Sequence, residues 1–266
     1  MKRTGVMNQF NTPICVLIIM IGIVMGKSTP NGFEHIESSA GIEEYKMSSN
    51  GLTVLLMEDY SAPVVTFMVT YHVGSRNEAI GHTGSTHLLE HLMFKGTKKL
   101  KPGEFSKIVS INGGKENAFT SKNYTGYFQL IHKSKLELIM SLEADRMKNI
   151  KLIEKEFENE KTVVLEERYS RINDNPSALL SEQINASLYM NHPYRKPIIG
   201  WEHEIKNLNL DDVMKFYEKY YAPNNAIIVI CGDVNLDEIV NIQDVILIVG
   251  QVLGTYNLND ERYSRK

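Results

Sequence analysis

His87-Leu88-Leu89-Glu90-His91 is the stretch from which the fold is read. Each residue of a helix turns by about 100°, so histidines four apart stand about 40° from one another, with Glu90 on the same side. Three coordinating or proton-transferring groups then point one way. Two imidazole nitrogens joined by one distant carboxylate oxygen make a three-ligand set that suits catalytic zinc.

The distant carboxylate is sought in Ile153-Glu-Lys-Glu-Phe157-Glu-Asn-Glu160-Lys-Thr-Val-Val164-Leu-Glu-Glu167-Arg168, which reads as a long helix. Positions 153, 157, 160, 164 and 167 recur at the spacing of one core-facing stripe. Two carboxylates on an otherwise apolar stripe are costly to bury unless paired or bound to a metal. Glu167 is therefore the expected third ligand and Glu160 an outer carboxylate that orients the site. Glu166, off the stripe, is expected in solvent. The alternative is a helix rotated so that Glu160 and Glu167 both face water.

Gly74-Ser-Arg-Asn-Glu78, Gly84-Ser-Thr-His87-Leu-Leu-Glu-His-Leu-Met-Phe-Lys-Gly-Thr97, Asn117-Ala-Phe-Thr-Ser121, Val163-Val-Leu-Glu-Glu167 and Tyr220-Tyr-Ala-Pro-Asn-Asn225 stand in this order. Together they resemble the pitrilysin/insulinase family of zinc metallopeptidases, the inverzincins, over residues 45–233. The resemblance implies His87, His91 and Glu167 as zinc ligands, Glu90 as general base and Glu160 as the outer acid that supports the catalytic site. It also implies an endopeptidase acting on extended or unfolded peptides. A second homologous half, as a subunit or within an oligomer, would supply an Arg and a Tyr that grip the substrate. By that implication the polypeptide alone is expected to bind zinc and turn over peptides weakly. The rival readings are a non-catalytic subunit that holds a partner, and a calcium-dependent docking module on a truncated protease.

Strands expected over residues 53–56 and 63–73, a strand pair within 117–131 and another strand at 226–230 are interspersed with helices near 105–111, 136–147, 176 onward and 210–220. Runs of strands and helices without strict alternation point to an α+β fold with a mostly antiparallel sheet. Gly113-Gly-Lys-Glu-Asn117-Ala118-Phe119-Thr-Ser121 has period-two character after a glycine turn, which suits an edge strand. An extended peptide can add to such an edge at Asn117, Ala118 and Phe119; the alternative is an ordinary sheet edge. His192, before Pro193, reads as a loop histidine, and Trp201 as packing.

Lys2 and Arg3 precede an apolar run at 14–25 that is short for a membrane span. A signal peptide over 1–26 is expected, giving a secreted or periplasmic protein, with an N-terminal membrane anchor as the alternative. The net charge of −3 gives no footprint for nucleic acid. Cys15 would leave with the signal, so Cys231 would have no intramolecular partner; it reads as a buried strand residue. The peptidase domain is set at 40–232, a terminal helix or calcium loop at 233–254 and a polar tail at 255–266. Asp233, Asn235, Asp237, Asn241 and Asp244 place oxygens as a Ca2+ loop requires and weakly resemble one dockerin repeat. Glu238 stands where that loop needs glycine, and a plain amphipathic helix accounts for the same stretch.

Overall fold

The computed structural model describes residues 32–234 and Thr29. A seven-stranded sheet in the order β1-β2-β3-β7-β4-β6-β5 organises them. Its strands are β1 (Phe33–Ser39), β2 (Ile42–Met47), β3 (Thr53–Glu58), β4 (Val64–Tyr71), β5 (Lys115–Thr120), β6 (Thr125–His132) and β7 (Ala226–Gly232). All neighbours pair antiparallel except β3 with β7, where Thr53 meets Ile227 in a parallel register. The α+β fold with a mostly antiparallel sheet is thus as the sequence implies. The hairpin of β1 and β2 was not anticipated, and it extends the sheet ahead of residue 40.

Alternation within the strands decides which face carries the core. In β4, Val65, Phe67, Val69 and Tyr71 are buried while the residues between them are more exposed, the pattern of a sheet packed on one side. The helices are α1 (Ser85–Leu92), α2 (Glu104–Ile111), α3 (Leu136–Asn149), α4 (Glu154–Arg168), α5 (Pro176–Leu188), α6 (Glu202–Asn207) and α7 (Leu210–Tyr220). Leu88, Leu89 and Leu92 of α1 are fully buried in the common core with Phe157 and Val164 of α4 and Val213 of α7. Ile153, expected on the buried stripe, is 48% exposed because it is the N-cap of α4. Cys231 lies in β7, partly exposed rather than buried as expected, and has no disulfide partner among the described residues. Trp201 caps the short α6, a helix that the sequence reading did not include.

The signal segment lies outside the described residues, as do Asn235, Asp237, Asn241 and Asp244 of the calcium-loop reading. Asp233 is described, and its carboxylate accepts from Lys133 Nζ at 2.9 Å. Among the described residues no helix is long and apolar enough to cross a membrane.

Candidate metal centre

The histidine helix starts at a residue that cannot cap it. Gly84 is the N-cap, with φ of 90° and no side chain to accept the first free amides. Remote carboxylates do so instead. Glu78 accepts from the Gly84 and Thr86 amides at 3.1 and 2.9 Å, and Glu204 accepts from the Thr83 amide at 2.8 Å. Gly84 in turn rests on Gly200, where a Cβ would come within 2.5 Å of the Gly84 Cα. Glycine is required at this crossing.

The same crossing is tied to α4. Arg168 donates two bonds of 2.8 Å to Glu182 of α5 and a third of 2.8 Å to the Gly200 carbonyl. Arg168 and Glu182 are both buried, and bidentate pairing gives the ion pair a fixed geometry. Arg168 follows Glu167, so this bond fixes the helix bearing Glu167 against the start of the helix bearing the histidines.

His87, His91 and Glu167 meet as a result. Their nearest donor atoms all lie within 4.8 Å of one another. His87 Nε2 stands 3.7 Å from Glu167 Oε1, and His91 Nε2 stands 3.4 Å from Glu167 Oε2. The outer nitrogen of His91, Nδ1, faces Glu160 Oε2 at 3.3 Å, and Lys95 Nζ holds the other Glu160 oxygen at 2.6 Å. Such a carboxylate fixes the tautomer that leaves Nε2 free as a ligand. His87 Nδ1 is buried without a hydrogen-bond partner among the described residues. Arg171, on a π-helical turn after α4, reaches Glu167 Oε1 at 2.8 Å from the solvent side. Two nitrogens and one oxygen converging in this way fit a divalent metal with an open coordination position.

Burial and the neighbouring charges shift the pKa values of His87, His91, Glu90 and Glu160. Burial, then His91 and Arg171, lowers the pKa of His87 to about 3, so this ring is neutral. Burial also opposes charge on His91, yet the Glu160 bond and the Glu167 and Glu90 carboxylates raise its pKa above the ordinary value. Burial raises Glu90, against the Thr120 hydrogen bond that lowers it. Burial opposes charge on Glu160 as well, but His91 and Lys95 bring its pKa below the usual range. Three carboxylates gathered around two imidazoles, one of them neutral, form a donor set that a divalent metal ion fits.

Glu90 points into a cleft of about 780 Å³ whose lining includes Asn117, Ala118, Phe119, Ile172 and Pro197. A second cleft of about 340 Å³ shares Glu90, His91, Asn117 and Ala118 and continues to Glu116 and Glu160. Strand β5 runs between the two and forms one edge of the sheet. The Ala118 amide donates to the adjacent Asn117 Oδ1 at 2.9 Å. His192 lies away from the metal centre, where Nδ1 accepts from the Tyr194 amide at 3.2 Å.

Every residue expected at the metal centre is therefore brought there, and Glu166 is exposed as expected. The reading missed Glu78, Lys95, Thr120, Arg168 and Glu204. A helix opened by glycine with no capping side chain was the one signal that a remote acid had to serve.

Glu78 also makes stability depend on pH. Burial raises its folded-state pKa to about 8 from 4.5, outweighing the Thr86 and Gly84 hydrogen bonds and the Lys196 charge. The folded state then retains a proton that the unfolded chain releases. Its contribution is full below the unfolded pKa and is lost as pH rises through about 8, at up to ~1.4 kcal/mol per pH unit. Glu78→Gln removes that slope. Urea unfolding between pH 5 and 8 should show the stability difference between wild type and variant changing steadily with pH; parallel curves would refute it.

The family model described as "Insulinase (Peptidase family M16)" matches residues 53–202, and that described as "Peptidase M16 inactive domain" matches 207–246, which spans the stretch read as a calcium loop. The chain is 39% identical over 225 residues to "Zinc protease PqqE" of Helicobacter pylori, covering 84% of this chain and 49% of that protein. It is 30% identical over 190 residues to an uncharacterized zinc protease of Streptomyces coelicolor, covering 71% and 41%. The crystal structure of a protease from Helicobacter pylori superposes with a TM-score of 0.75 at 39% identity, over 83% of this chain and 51% of that one. Pitrilysin shares the fold, with a TM-score of 0.69 at 22% identity over 79% of this chain and 24% of that one. The chain spans about half the length of the curated relatives it matches.

Proposed function

The chain belongs to the insulinase family of peptidases, family M16, and from that premise we propose that it is the metal-bearing half of a zinc-dependent endopeptidase acting on extended peptides, exported by residues 1–26. The observation that carries this reading is the convergence of His87, His91 and Glu167 beside Glu90, at the mouth of a cleft bordered by a sheet edge.

When bound at His87, His91 and Glu167, zinc supplies Lewis acidity to the scissile carbonyl and eases the ionisation of water. Glu90 takes the proton of the attacking water and returns it to the leaving amine. Glu160 holds the His91 ring in place through Nδ1. The backbone of β5 aligns the peptide by strand addition, which is indifferent to side-chain identity and suits broad substrates.

A second homologous half completes the site in this proposal. The relatives are about twice as long as the matched region, and Leu180, Ile184 and Leu188 form an exposed apolar stripe on α5, whose Ala178, Ser181 and Asn185 line the cleft. The test is zinc content and turnover of unfolded casein and short fluorogenic peptides, with Glu90→Gln as the blank. The mature chain, without residues 1–26, should bind about one zinc and turn over weakly alone. Adding the second half of a relative, produced separately, should raise turnover by roughly 10²-fold or more, the value of one oxyanion donor. Robust Glu90-dependent turnover by a proven monomer would show the second half to be dispensable, and absence of zinc would end the metallopeptidase reading.

A further inference from the structure

Glu90 ends in a torsion that is broad and roughly two-fold, so a glutamate acting as a base needs an external contact to aim it. Among the described residues its carboxylate makes one hydrogen bond, accepting at Oε2 from the Thr120 hydroxyl. The direction is set by chemistry, since an ionised carboxylate only accepts. Thr120 is itself well held. It is the last residue of β5 and pairs with Thr125 of β6, which is fully buried and donates to the Val73 carbonyl at 2.9 Å. Its β-branched side chain has little rotamer freedom.

Side chains alternate along a strand, so Glu116, Ala118 and Thr120 share one face of β5, and Glu116 and Ala118 line the clefts beside α1. The strand edge that would pair with a peptide thus ends in the hydroxyl that holds the base.

We propose that Thr120 is a positioning residue for Glu90, its hydroxyl fixing Oε2 so that Oε1 is left for the proton of the attacking water, and linking the peptide-binding strand to the base. This rests on the reading of Glu90 as general base. Thr120→Val removes the donor at nearly constant shape, Thr120→Ala removes it without a second methyl group, and Thr120→Ser restores it.

The test is binding of a peptide hydroxamate to the zinc-loaded chain, because a hydroxamate chelates the metal and donates a proton to an adjacent carboxylate. Thr120→Val and Thr120→Ala should bind it about tenfold more weakly, the usual worth of a hydrogen bond to a charged group. Zinc affinity and melting temperature should stay as in wild type, and Thr120→Ser should bind within about threefold of wild type. Where turnover is measurable, the loss in Thr120→Val should fall on kcat and leave KM unchanged. Hydroxamate affinity equal to wild type in Thr120→Val, or Thr120→Ser as weak as Thr120→Val, would overturn the positioning role. Full affinity in Glu90→Gln would instead overturn the base reading, and the proposal with it.

Discussion

Glu167→Gln is expected to separate metal binding from everything else the fold does. Glu167 offers its oxygens to both histidines, at 3.7 Å from His87 Nε2 and 3.4 Å from His91 Nε2. A carboxamide presents one neutral oxygen and an amino group that repels a cation. Structural zinc sites with four ligands bind with about 10–16 kcal/mol, which puts one ligand near 3 kcal/mol, or a hundredfold in affinity. Glu167→Gln, His87→Ala and His91→Ala should each lose at least that much in a chelator competition. Glu160→Gln acts through the His91 ring and should lose about 10- to 100-fold. Glu90→Gln should keep its zinc and lose turnover by about 10²- to 10⁴-fold, the usual range for a general base. Zinc held at wild-type affinity in Glu167→Gln would remove that residue from the ligand set. Zinc lost in Glu90→Gln would make Glu90 a ligand or a structural support.

Arg168→Ala is expected to carry a large cost in stability. It leaves the buried Glu182 carboxylate without its two bonds and the Gly200 carbonyl without its donor. Breaking a buried ion pair from one side costs about 3–5 kcal/mol, because the surviving charge is stranded. For an ordered region of this size that lowers the melting temperature by roughly 10 °C. The double variant Arg168→Met with Glu182→Leu removes both charges and should recover most of the loss in urea unfolding. Zinc affinity should fall in Arg168→Ala even at temperatures where the chain is folded, since Arg168 aligns α4 with the start of α1. If the single and double variants unfold alike, the pair contributes little and α4 is held by its apolar face alone.

How far the sequence revealed the site follows from the range of the interactions involved. His87, Glu90 and His91 lie within about one turn of one helix, and Glu160 and Glu167 stand about two turns apart on one face of another, so spacing alone sets their faces. Phe157 and Val164 confirm the orientation of the second helix by being fully buried. What was missed depends on contacts across the chain. Arg168 lies next to Glu167, but its partners Glu182 and Gly200 are set by the path of the chain. Glu78 and Glu204 reach the α1 cap from different segments. Strand β1 carries few apolar residues and is largely exposed, so no period-two signal marks it, and in the short β2 the alternation is confined to Tyr45 and Met47; their strand character comes from pairing. The short α6 has too few turns for periodicity to be read.

The place of β7 has a consequence for how the molecule is assembled. It is the last strand of the described chain, yet it lies between β3 and β4 and pairs with both. During synthesis β3 and β4 are complete some 150 residues before their shared neighbour emerges, each with a row of unpaired backbone groups open to other chains. Contacts so distant in sequence slow folding, and exposed edges of this kind promote aggregation while the chain waits. The sheet closes when Ala226–Gly232 inserts between strands made long before it.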